Sequence, residues 1–121
     1  MPSRCVLVVE DEMYLAMMLE DLLIDGGYRV LRAARVQDAI RLAESGECID
    51  AAVLDVNLNG EPVYPVAKRL LERGVPFLFA SAYGSQGIAE EYRDAPMLSK
   101  PYPERDIIPA IERLVESTTA Y

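Results

Sequence analysis

Short apolar runs alternate with longer stretches of helical period along this chain. "CVLVV" (5–9) is short and β-branched, and reads as a strand buried on both faces. In "DEMYLAMMLEDLLIDGG", Leu15, Met18, Leu19, Leu22 and Leu23 fall on one helical face, and Gly26 and Gly27 close the helix. "YRVLRAA" (28–34) reads as a second strand. "VQDAIRLAESG" reads as a second helix with Ala39, Ile40 and Ala43 inward. "DAAVLD" (50–55) is a third strand. Pro62 suits the first turn of a third helix, whose stripe is Val63, Val66, Ala67, Leu70 and Leu71 and which ends at Gly74. "PFLFA" (76–80) and "MLS" (97–99) are the fourth and fifth strands. A last helix covers "ERDIIPAIERLVES", with Ile107, Ile108, Ile111, Leu114 and Val115 apolar and Pro109 near its first turn.

Strand and helix therefore alternate five times. That order predicts an α/β fold, a doubly wound, five-stranded parallel sheet of the flavodoxin-like order 2-1-3-4-5, with right-handed crossovers. The connection "YGSQGIAEEYRDAPM" (83–97) breaks the rhythm. It holds two glycines, a proline and isolated apolar residues, Ile88 and Ala89, with little to bury. A short or mobile fourth helix is expected there.

A length of 121 residues fits one domain, and 51% hydrophobic content is enough for a core. The formal charge of −8 disfavours direct contact with phosphate backbones, so no nucleic acid partner is expected. No apolar run is long enough to span a bilayer. The first strand starts so close to the N-terminus that no signal peptide fits ahead of it, which makes the cytoplasm the expected location. Cys5 and Cys48 have neither metal nor redox spacing and read as reduced thiols, Cys5 in the core. The absence of histidine removes Ser/His and Cys/His catalysis.

Doubly wound sheets keep their sites beyond the carboxyl ends of the strands. Glu10 and Asp11 follow the first strand and Asp55 ends the third, its neighbour in this fold. Three carboxylates there would repel one another, and a divalent cation such as Mg²⁺ would relieve the conflict. The plainer reading is that "EDE" (10–12) serves the N-terminus of the first helix, and Glu12 needs no other role. Ser81 follows the fourth strand and Lys100 the fifth. Alone, such a serine is a turn residue and a lysine before proline is solvated surface. Together with the acids they supply what a phosphoryl group on a carboxylate requires: a cation, an ammonium and a hydroxyl around a nucleophilic Asp55.

The constellation Glu10-Asp11, Asp55, Ser81 and Lys100-Pro101 resembles the receiver domain of two-component response regulators, over essentially the whole chain. The resemblance implies a single receiver domain over 1–121 with no output domain. It implies a phosphoprotein that takes a phosphoryl group on Asp55 from a histidine kinase or histidine phosphotransferase in the cytoplasm, as a monomer or weak dimer. It would assist its own phosphorylation and dephosphorylation without being a classical enzyme. Mg²⁺ would be held by Glu10, Asp11, Asp55 and the backbone carbonyl of Asn57, with Lys100 on the phosphoryl group and Ser81 as the switch hydroxyl. Output would pass by contact with a downstream signalling protein or by onward phosphotransfer, not through DNA or a membrane.

A narrower likeness joins "PFLFASAY" (76–83) and "KPY" (100–102) to the "PFxFATGY" signature of FAT GUY receivers, which are linked to the general stress response. Ser81 and Ala82 stand where that signature has Thr and Gly. Receivers usually carry an aromatic residue three before the lysine, and here Met97 stands there. Tyr83 is the candidate replacement in the switch, against the plain reading of a surface aromatic. Two other readings compete. One is a receiver fold that binds partners without phosphorylation. The other is a small Mg²⁺-dependent phosphatase, for which "DVN" (55–57) lacks a general acid at Asn57. The Met13, Met17 and Met18 group reads as core filling at Met18 and is left open at the other two.

Overall fold

A computed structural model describes residues 4–119. The expectations that rest on the two ends of the chain, residues 1–3 and 120–121, lie outside the described residues. The elements are β1 (Cys5–Val9), α1 (Met13–Asp25), β2 (Arg29–Ala33), α2 (Val36–Glu44), β3 (Ala51–Asp55), α3 (Tyr64–Glu72), β4 (Phe77–Ser81), β5 (Met97–Ser99) and α4 (Ile107–Thr119). Two two-residue strands, Asn57–Leu58 and Glu61–Pro62, form a separate hairpin and are left unnumbered. The main sheet is parallel throughout, in the expected order β2-β1-β3-β4-β5.

Strand alternation divides the core into two layers. Leu7, Val9, Leu54 and Phe79 face α2 and α3, meeting Ala39, Val66 and Leu70. Val6, Val8, Val53 and Leu78 face α1 and α4, meeting Leu19, Leu23, Ile107 and Ile111. A central strand covered on both faces must be apolar at every position, which is why "CVLVV" carries no polar residue. Each fully buried leucine in these layers stabilises the fold by roughly 1.5–3 kcal/mol. Edge strand β2 keeps one flank in solvent, and Arg29 and Arg32 are exposed there. Cys5 is buried and Cys48 exposed.

Four details differ from the sequence reading. Helix α3 starts at Tyr64, so Pro65 takes the first-turn place where a missing N–H costs nothing, and Pro62 belongs to the hairpin. Leu71 is 58% exposed, because α3 lies on the sheet through Val66, Ala67 and Leu70 and the next residue turns about 100° to its flank. Ser81 is the last residue of β4 rather than the residue after it. Between β4 and β5 the expected short fourth helix takes the form of two 3₁₀ turns, Gly84–Gly87 and Glu90–Tyr92. Ile88 between them is not idle: it is 2% exposed and packs into the α2–α3 layer. Met18 packs against the core, while Met13 and Met17 are exposed. No helix among the described residues is long and apolar enough to cross a membrane.

Candidate functional site

Register brings the acids together. Val9 pairs with Leu54, so Glu10 and Asp55 leave the sheet at the same level. One carboxylate oxygen from each of Glu10, Asp11 and Asp55 lies within 4.8 Å of the other two. From the far side of the sheet, Lys100 Nζ donates to Glu10 Oε1 at 2.8 Å and to Asp55 Oδ2 at 3.1 Å. The backbone positions that lysine: β5 runs beside β4, Lys100 N–H donates to the Ser81 carbonyl at 2.8 Å, and the Lys100–Pro101 peptide is cis.

Three more oxygens of the acids accept backbone hydrogen bonds. Asp55 Oδ1 accepts from Asn57 N–H at 3.3 Å, and Glu10 Oε2 accepts from Glu12 N–H at 3.0 Å. Asp11 Oδ2 accepts from Asn59 N–H at 3.0 Å, across the 57–62 hairpin. That hairpin turns on Asn59 (φ +51°) and Gly60 (φ +90°), both left-handed, as a two-residue connection of this kind requires. Glu12 occupies the N-cap of α1 but makes no side-chain cap hydrogen bond.

A cavity of about 540 Å³ opens above these groups, lined by Asp11, Asp55, Asn57, Tyr64, Ser81, Tyr83, Gly87 and Lys100 among others. Ser81 is buried at its edge, its Oγ accepting from Tyr83 N–H at 3.1 Å. Tyr83 is 81% exposed, a surface aromatic at the rim. Met97 is half-buried in β5, in register with Phe79, and packs against the α2–α3 layer.

The electrostatics mark the site as short of positive charge. Burial lifts the Glu10 carboxyl from 4.5 to about 7, against the pull of Lys100 and of Glu12 N–H and with the Asp55 charge adding to the rise. Burial pulls Lys100 down, but Glu10 and Asp55 more than offset it and hold the ammonium charged. One ammonium thus stands against three carboxylates. Hard oxygen donors this close, one of them a buried carboxyl pushed toward its neutral form, fit a small divalent cation such as Mg²⁺.

The chain matches the response regulator receiver domain over residues 6–112. It belongs to the receiver family of two-component response regulators. Among similar proteins, the transcriptional regulatory protein PdtaR of Mycobacterium tuberculosis is 31% identical over 117 residues, covering 93% of this chain. The match takes in 57% of PdtaR, so the chain spans little more than half the length of that relative. The solution structure of SdrG from Sphingomonas melonis Fr1 is 39% identical, with a TM-score of 0.79 over 93% of this receiver and 97% of SdrG. A response regulator receiver protein from Sinorhizobium medicae WSM419 has a TM-score of 0.82 at 24% identity, covering 96% of this chain and 97% of its own, a likeness of fold.

All the acids, the hydroxyl and the ammonium expected from the sequence converge in this receiver. Three neighbours were missed. The hairpin that ties Asp11 to Asn59 was legible as "NG" at 59–60 but was not read. Tyr64, read as ordinary helix, lines the cavity. Tyr102 buries its hydroxyl without a hydrogen-bond partner among the described residues. Burial, followed by the nearby Glu10 and Asp55 charges, pushes that phenol well up.

Proposed function

We propose that this receiver accepts a phosphoryl group on Asp55 from a histidine kinase or histidine phosphotransferase. What supports the reading is the convergence of Asp55, Lys100 and Ser81 at one cavity, with Glu10 and Asp11 clustered against Asp55. In the transfer, a carboxylate oxygen of Asp55 attacks the phosphorus of a phosphohistidine. A P–O bond forms, the P–N bond breaks, and the electron pair leaves with the imidazole, which is neutralised by a proton. Glu10, Asp11, Asp55 and the carbonyl of Asn57 would hold Mg²⁺, which when bound supplies neutralisation of the phosphoryl oxygens.

The chain's own groups do the rest. Asn57 N–H fixes the Asp55 carboxylate, which half-fixes the nucleophile before the donor arrives. Lys100 already touches Asp55 and needs only to exchange a carboxylate oxygen for a phosphoryl oxygen. Ser81 turns its hydroxyl from Tyr83 N–H toward the new charge, carrying the 82–96 segment with it. The acidic surface, a net charge of −8, suits output through protein contact or onward phosphotransfer better than contact with DNA. The near-match of "PFLFASAY" to the FAT GUY signature supports a place in the general stress response.

The test is phosphotransfer profiling against purified histidine kinases and phosphotransferases, with Asp55→Asn as control. Label that requires Mg²⁺ and vanishes in the variant is the expected result. Equal labelling of the variant would remove Asp55 from the role. A wild-type chain that takes no label from any donor, or from acetyl phosphate, would overturn the reading in favour of phosphorylation-independent binding.

A further inference from the structure

The segment between β4 and β5 has no α-helix to bury, yet it is not loose. Tyr64 supplies much of its attachment, beside buried Ile88. Tyr64, the first residue of α3, accepts a hydrogen bond on its phenol oxygen from Ala89 N–H at 2.6 Å. Its ring stacks on Tyr92 at 5.1 Å between centroids and 4° between planes. Phe79 of β4 meets both rings edge-on, at 5.9 Å and 5.7 Å. Ile88, next to Ala89, is buried below. The same Tyr64 lines the cavity that holds Asp55 and Lys100.

A second contact links this anchor to the switch hydroxyl. A Cβ built on Gly87 would lie 2.5 Å from Ser81 Oγ and 3.1 Å from Tyr83 Cβ. Gly87 therefore closes over the hydroxyl in the space a side chain would fill, two residues before Ala89. Gly87 lies against Ser81 and only two residues from Ala89, so a shift of Gly87 would pull on the Ala89–Tyr64 hydrogen bond.

We propose that Tyr64 is a positioning residue that holds the 84–96 segment in its resting place and gives up Ala89 when the acceptor site is filled, an inference that rests on Asp55 being the phosphoacceptor. The hydrogen bond and the stack belong to the resting state. A phosphoryl group draws Ser81 inward, Gly87 follows, and Ala89 N–H leaves the Tyr64 oxygen. Tyr92, freed from its partner, exposes aromatic surface at the α3 flank. Because the contact favours only the resting state, it opposes filling of the site, and its loss must shift the population toward the filled form.

The test is the affinity for beryllium fluoride, a phosphoryl mimic, at saturating Mg²⁺. Tyr64→Phe keeps the ring and removes the acceptor for Ala89 N–H. It should bind the mimic about 3- to 10-fold more tightly than the wild type, the weight of one net hydrogen bond. Tyr92→Leu, which removes the stack, should move in the same direction. A purely structural tyrosine would lower the melting temperature and leave this affinity unchanged. Unchanged or weakened binding in Tyr64→Phe overturns the proposal, and amide exchange at 88–92 that is slower in the variant than in the wild type does so as well. A wild-type chain that does not bind the mimic removes the acceptor reading itself. Binding by the wild type with equal binding by the variant removes the Tyr64 role alone.

Discussion

The two sides of the cavity are built differently. Glu10, Asp11 and Asp55 stand at the ends of the two central strands, β1 and β3, which are buried along their whole length. Opposite them, Ser81 lies beneath a connection of two 3₁₀ turns held by one buried isoleucine and a tyrosine pair. The contrast fits two demands. Cation binding and nucleophilic attack need oxygens held to a fraction of an ångström. Signalling needs a segment whose rearrangement costs little, and few buried contacts make that segment.

Mutations on each side should break different properties. Asp55→Asn keeps the packing at the end of β3 and removes the proposed nucleophile, so phosphoryl transfer from acetyl phosphate should fall by about 100-fold or more. Retained transfer would mean that the rigid side does not hold the acceptor. Asp11→Asn should weaken Mg²⁺ binding by about tenfold, measured by titration calorimetry, while the exchange of amides 82–96 in the metal-free protein stays as in the wild type. Gly87→Ala attacks the other side. Its Cβ meets Ser81 Oγ, an overpacking that costs about 1–3 kcal/mol and should speed exchange in the 82–90 segment by about tenfold. The sharpest comparison carries the smallest effect. Cys5 opens β1, and burial lifts its thiol above the ordinary range. Its labelling in Gly87→Ala should stay within about twofold of the wild type, because local opening of the segment leaves the strand closed. If Cys5 labelling accelerates in step with the segment, the two regions open as one unit and the contrast fails.

The two sides also differed in how far the sequence revealed them. Strand runs and helical stripes follow from burial, and burial dictates residue type, so β1, β3 and α1 could be read almost residue by residue. The acids, Ser81 and Lys100 were visible because strand ends in this fold share one edge. The short helical character of the 82–96 segment was legible, but its buried anchor was not, because that order comes from partners distant in sequence. Nothing in "IAEEY" says that Ile88 will find the α2–α3 layer or that Tyr92 will lie on Tyr64. Leu71 failed for the opposite reason: a helical stripe names a face, but the sheet selects which part of it is covered.

One consequence follows from where Lys100 sits along the chain. Its contacts with Glu10 and Asp55 span 90 and 45 residues, and β5 can join the sheet only through β4. As the polypeptide leaves the ribosome, all three carboxylates emerge well before the ammonium that pairs with two of them. A nascent chain lacking β5 would therefore face mutual repulsion at the mouth of its own half-made sheet. Arrival of the last strand both completes the sheet and eases that repulsion, so closing the sheet and assembling the proposed acceptor site are one event.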